Sequence, residues 1–223
     1  MLVGKGRTAV LPRRNFFRKA RVPPMVKNIV FDMGNVLLAY DPARYAERLP
    51  VRSEAARAVL RELFYGPEWA LLDAGALTER EALERVTGRI PQYAEEVRLA
   101  MRHWPDMLRP VPGMTEIVSD LKAGGFGIYL LSNTSLRFYQ YYRDVEIFRR
   151  FDGFMISARE KLLKPDPALF RRFCTRFRLL PKECLFLDDR PENVDSAVSC
   201  GMAGHCFSAA EELRAFLKSG GIL

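Results

Sequence analysis

Asn28-Ile29-Val30-Phe31 runs directly into Asp32, and the reading of this stretch decides the fold. Its residues are apolar and β-favouring, and the run stops abruptly at a carboxylate. Two later stretches repeat the pattern: Ile128-Tyr129-Leu130-Leu131 stops at Ser132, and Leu185-Phe186-Leu187 stops at the pair Asp188-Asp189. Short, unbroken apolar runs separated by helical stretches read as buried strands of a parallel sheet. The expected class is therefore α/β, with a Rossmann-like parallel-sheet core. Ligands of open parallel sheets bind beyond the carboxyl ends of the strands. Asp32, Ser132, Asp188 and Asp189 are thus expected along one sheet edge, although they lie far apart in the chain.

That set suits phosphoryl transfer through a covalent intermediate, in which a carboxylate attacks phosphorus and a divalent cation neutralises oxygen charge. Mg²⁺ prefers a few carboxylates together with water and phosphate, and Asp32, Asp188 and Asp189 offer them. The hydroxyl and backbone N–H groups of Ser132-Asn133-Thr134 are expected to hold further phosphate oxygens. A cation for the transferred group is expected from Lys164, because the prolines of Lys164-Pro165-Asp166-Pro167 break and restart helices around it and so place it on a loop.

Four segments in order resemble the motifs of the haloacid dehalogenase (HAD) superfamily, most of whose members are Mg²⁺-dependent phosphatases. They are Phe31-Asp32-Met33-Gly34-Asn35-Val36-Leu37, Leu131-Ser132-Asn133-Thr134, Lys164-Pro165, and Leu187-Asp188-Asp189-Arg190-Pro191-Glu192-Asn193. The resemblance implies that Asp32 is the nucleophile and that the Gly34 carbonyl helps to hold Mg²⁺ with Asp32, Asp188 and Asp189. Ser132 and Asn133 would bind phosphate, Lys164 would pair the nucleophile with the phosphoryl group, and Asn193 would position the metal or its water.

Position 34 departs from the commonest pattern, which carries a second Asp there to protonate the leaving oxygen. General acid–base help is worth about 10²–10⁴ in rate, so a glycine at this point matters. Two expectations follow. Asp-Met-Gly-Asn-Val resembles a bacterial branch that includes sugar-phosphate phosphatases such as glucose-1-phosphate phosphatases, in which Gly is ordinary here. Alternatively, the chain is a weak or inactive relative that binds a phosphorylated ligand or a protein. In the active case the leaving group takes its proton from water, from the cap or from the substrate, and leaving groups of low pKa are favoured. A 2-haloacid dehalogenase is disfavoured, since two adjacent acids repel unless a cation relieves them.

The chain has 223 residues, 48% of them hydrophobic, enough for a substantial core. No apolar stretch reaches the roughly 18 residues needed to span a bilayer. Cys174, Cys184, Cys200 and Cys206 lack zinc-type pairing and read as reduced thiols, which favours a cytoplasmic location. Residues 1–24 carry Lys5, Arg7, Arg13, Arg14, Arg18, Lys19 and Arg21 and no acid, accounting for nearly all of the net charge of +8. This leader is expected to be a misassigned start, a disordered arm, or an arm touching nucleic acid or acidic surfaces; nucleic acid enters only here. The core is expected over 25–41 and 110–223, and residues 42–109 read as an inserted helical cap. Ser53 is expected to cap a helix over 54–63, and Thr78-Glu79-Arg80-Glu81 fits a capping box. The family resemblance extends to Trp69, Leu72, Asp73, Gly75, Leu77 and Thr78 and implies that they pack the cap; Trp69, Tyr65, Arg44 and His103 could face a substrate, but a packing role is expected for each in preference. The expected partner is a small phosphorylated metabolite, with no membrane; oligomeric state is left open.

Overall fold

β1 (Asn28–Phe31) lies at the centre of the molecule, all four of its residues shielded from water. The computed structural model describes residues 25–223, so the basic leader and the three expectations attached to it lie outside the described residues. In chain order β1 is followed by β2 (Leu38–Ala39), α1 (Pro42–Arg48), α2 (Ser53–Val59), α3 (Pro67–Asp73), α4 (Glu79–Arg89) and α5 (Ala94–His103). Then come β3 (Arg109–Pro110), α6 (Met114–Ala123), β4 (Gly127–Ser132), α7 (Phe138–Tyr141), β5 (Gly153–Ile156), α8 (Ser157–Glu160) and α9 (Pro167–Phe177). The chain ends with β6 (Cys184–Asp188), α10 (Pro191–Ser199), β7 (Ala203–Cys206) and α11 (Ala210–Ser219).

The sheet order is β5-β4-β1-β6-β7, and every pairing is parallel. This is the α/β, Rossmann-like core expected of the three apolar runs. Phe31 pairs with Leu130 on one side and Leu187 on the other. Asp32 and Asp188 therefore leave the sheet at one level, and Ser132 ends β4 one residue further on. Both faces are covered, which is why the strands show no polar alternation. On one face Ile29, Phe31, Leu185 and Leu187 pack with Met114, Ile117, Val118 and Leu121 of α6 and with Leu213 and Leu217 of α11. On the other, Val30, Leu131 and Phe186 meet Leu169, Phe170 and Phe173 of α9. Burying each phenylalanine is worth roughly 1.5–3 kcal/mol.

The five helices α1 to α5 lie between β2 and β3, which pair antiparallel and so bring the two ends of the helical segment together. Thr78 and Glu81 form the reciprocal capping box expected at the start of α4. α2 departs from expectation. Ser53 is its first residue, Arg52 occupies the cap position, and no side-chain cap bond forms. The helix continues into a wider turn over Leu60–Phe64, where the adjacent Leu63 and Phe64 are both buried before Gly66-Pro67 ends it.

The turn between α3 and α4 seats this segment on the sheet core. The Ser157 hydroxyl donates to the Asp73 carbonyl at 2.6 Å, and Arg137 forks onto Glu79. Trp104 meets Tyr141 edge-on, with ring centroids 6.0 Å apart. Gly75 has a φ of +65°, and a Cβ built there would lie 2.0 Å from the Ala158 carbonyl oxygen. Gly75→Ala is expected to destabilise the fold by more than the roughly 1–2 kcal/mol of left-handed strain alone, because backbone must also move. Urea denaturation measures this, and an unchanged midpoint would contradict the seating described.

Candidate active site

Where β1, β4 and β6 end, a cavity of about 410 Å³ opens between the sheet edge and the helical segment. Asp32, the first residue beyond β1, is 9% exposed, and Lys164 only 4%. Lys164 Nζ lies 2.7 Å from Asp32 Oδ1 and donates to Asp188 Oδ2 at 2.6 Å. One buried ammonium thus bridges two buried carboxylates, which is how charges are retained out of water. The loop that carries Lys164 is pinned by Asn133. Its Oδ1 accepts from the Lys164 N–H at 2.8 Å, and its Nδ2 donates to the Lys164 carbonyl at 2.9 Å.

Asp188 is fully buried and receives the Arg190 N–H at 2.9 Å. The Asn193 amide donates to both of its oxygens at 3.0 Å. Asp32, Asp188 and Asp189 each turn one carboxylate oxygen toward the others, all within 4.8 Å. Burial pushes the Asp32 carboxyl up, with Lys164 opposing and the Asp188 charge adding to the rise. Burial, then the neighbouring Asp188, likewise raises Asp189. Three acids against one lysine leave the cluster short of positive charge, and a hard divalent cation fits both that deficit and the all-oxygen donor set. Asn193 Oδ1, beside the cluster, is the one buried side-chain oxygen or nitrogen among the described residues with no partner. It would offer an acceptor to a water held by such a cation.

The expected residues do come together. Asp32, Gly34, Ser132, Asn133, Lys164 and Asp189 line the cavity, and Asp188 lies directly beneath through Lys164. Two details differ from expectation. The Asn133 side chain is taken up by the Lys164 backbone and is not free to hold phosphate. The Thr134 N–H is also engaged, donating to Ser157 Oγ at 2.9 Å, because Ser157 ties this loop to the Asp73 carbonyl. Asp41 caps α1 by accepting from the Arg44 N–H at 2.9 Å. A Cβ at Gly34 would meet nothing within 4 Å, so packing does not exclude a side chain there.

The helical segment supplies part of the wall, including Trp69 and Asp73, which were expected to pack. Trp69, Ala70, Asp73, Trp104 and Leu108 face the cavity, as does Tyr40 just before α1. Trp69 also packs against Phe64 and Trp104, at centroid distances of 4.7 and 5.4 Å. Tyr65, Arg44 and His103 are not part of this wall; His103 instead contacts Asp106 at 3.1 Å. Asp73 is half-buried, and burial, then the Asp32 charge, lifts its carboxyl to about 7. Its sequence signal was its place as the last residue of α3, where the helix dipole disfavours an acid.

A family model for haloacid dehalogenase-like hydrolases matches residues 26–201. The chain is 26% identical over 179 residues to a sesquiterpene phosphatase, astK, of Aspergillus oryzae, covering 80% of this chain and 88% of that one. It is 22% identical over 181 residues to a phosphorylated carbohydrates phosphatase of Thermotoga maritima, covering 78% and 81%. A HAD family enzyme of Bacteroides thetaiotaomicron, solved as a magnesium complex, superimposes with a TM-score of 0.68 at 20% identity, over 87% of this chain and 99% of that one.

Proposed function

The chain belongs to the haloacid dehalogenase-like hydrolases, and from that premise we propose that it is a Mg²⁺-dependent phosphomonoester hydrolase acting through an aspartyl-phosphate on Asp32. The observation that carries this reading is the Lys164 bridge between Asp32 and Asp188 within a three-carboxylate cluster that borders a cavity large enough for a small organic phosphate. Asp32, Asp188, Asp189 and the Gly34 carbonyl would hold Mg²⁺, which when bound supplies charge neutralisation on the phosphoryl oxygens. Lys164 and the Ser132 hydroxyl, with the Asn133 backbone, orient the phosphoryl group so that Asp32 faces phosphorus. A fixed approach of this kind converts attack into a near-unimolecular step. The helical segment, residues 42–109, acts as the cap that closes over the substrate and excludes water.

The substrate is a small phosphorylated metabolite whose organic part has an apolar face. Trp69, Trp104, Tyr40 and Leu108 support this, since such rings stack on flat or apolar groups. A sugar phosphate fits through its C–H face, and the Aspergillus relative, named for a sesquiterpene substrate, makes a prenyl phosphate a second class to try. The test is steady-state release of phosphate from para-nitrophenyl phosphate, glucose 1-phosphate and farnesyl phosphate, with Mg²⁺ and with EDTA. Mg²⁺-dependent turnover abolished by EDTA is expected. Turnover indifferent to EDTA, or none in protein that binds Mg²⁺, would overturn the reading; the second result would make Gly34 the mark of a chain that only binds its ligand.

A further inference from the structure

Asp73 is the one carboxylate that the helical segment contributes to the cavity. Among the described residues its side chain takes no hydrogen bond from any neighbour, unlike Asp32 and Asp188, which are committed to Lys164. Its backbone, in contrast, is held firmly. The Asp73 carbonyl accepts from Ser157 Oγ, which in turn accepts from the Thr134 N–H of the loop after β4. Two residues on, Gly75 lies flush against the Ala158 carbonyl. A free carboxyl on an anchored turn, facing the nucleophile's cavity, is the arrangement that positioned proton transfer requires.

Among the other titratable groups of the wall, Asp189 belongs to the carboxylate cluster that would hold the cation. Arg190 has no removable proton, Lys164 is tied between two acids, and burial drives the Tyr40 phenol away from ionisation. Gly34, two positions after the nucleophile, has no side chain at all.

We propose that Asp73 is the proton donor and acceptor of the reaction, a catalytic residue supplied by the helical segment; this rests on the hydrolase reading above. In the first step Asp32 Oδ attacks phosphorus, the bond from phosphorus to the leaving oxygen breaks, and that oxygen takes the Asp73 proton as it leaves. In the second, the Asp73 carboxylate takes a proton from water whose oxygen attacks the phosphorus of the aspartyl-phosphate. The P–Oδ bond breaks, freeing phosphate and restoring both the Asp32 carboxylate and protonated Asp73.

The probes are 2-phenylethyl phosphate, whose alkoxide needs a proton, and para-nitrophenyl phosphate, whose phenolate hardly does. The native chain is expected to show similar kcat/KM for the two, within about tenfold. Asp73→Asn is expected to lose about 10²–10⁴ in kcat/KM on the phenylethyl ester. On the nitrophenyl ester it should keep kcat/KM within about tenfold while kcat falls, with a burst of nitrophenol, because the second step has lost its base. Equal losses on both esters, or no loss on either, would overturn the assignment. A native chain already much slower on the phenylethyl ester would overturn it too, whether or not the variant folds. A native chain that hydrolyses neither ester with Mg²⁺ present would instead sink the hydrolase reading itself.

Discussion

Asp32→Asn is expected to lower turnover by roughly 10⁴–10⁶-fold, the loss typical of removing a nucleophile that acts as part of a unit. The amide matches the carboxylate in volume but cannot form the phosphoryl bond. Stability should not fall with activity. Asp32 sits 9% exposed beside Asp188, and burial raises its pKa, with Lys164 opposing and the Asp188 charge adding to the rise. Neutralising it relieves repulsion, while Lys164 keeps its 2.6 Å partner in Asp188. A thermal melt in EDTA should therefore show a midpoint no lower than that of the native chain. Retention of more than about a hundredth of native turnover would show that another group attacks phosphorus.

Lys164→Met carries the largest expected effect on folding. Methionine keeps much of the length and apolar stem, and the Asn133 contacts to the backbone of residue 164 survive. What disappears is the ammonium between two buried carboxylates. Removing one partner of a buried pair costs about 3–5 kcal/mol, which for a chain of this size lowers Tm by roughly 10 °C. Part of that should return with Mg²⁺, since a cation bound to the folded state stabilises it by mass action and here replaces the missing charge. Calorimetry of both proteins, in EDTA and in Mg²⁺, measures the two terms. A variant that melts like the native chain in EDTA would contradict the role of Lys164 as counter-ion.

The three central strands of the sheet were legible because their signal is local. Ile29-Val30-Phe31 and Leu185-Phe186-Leu187 are buried on both faces, so hydrophobicity alone marks them, and the polar residue at each end marks the edge. Lys164 was legible through its prolines, although the Asn133 clasp that holds its backbone was not. Two levels were hidden. Helix boundaries depend on packing, as in α2, which begins at Ser53 without using its hydroxyl. The cavity wall depends on where a distant turn lands. Nothing near Asp73 in sequence states that Ser157 will hold its carbonyl or that Ala158 will lie against Gly75. Those contacts join segments more than 80 residues apart, and they hold the turn that sets Asp73 in the wall of the cavity that Asp32 also lines.

An aspartyl-phosphate at Asp32 is tested most directly by rapid acid quench. The native chain is mixed with Mg²⁺ and ³²P-labelled substrate, quenched within milliseconds, digested and mapped. The expected result is label on the peptide containing Asp32, released by hydroxylamine and absent in Asp32→Asn. Phosphate release with no labelled peptide at any time point, or label on another residue, would contradict it.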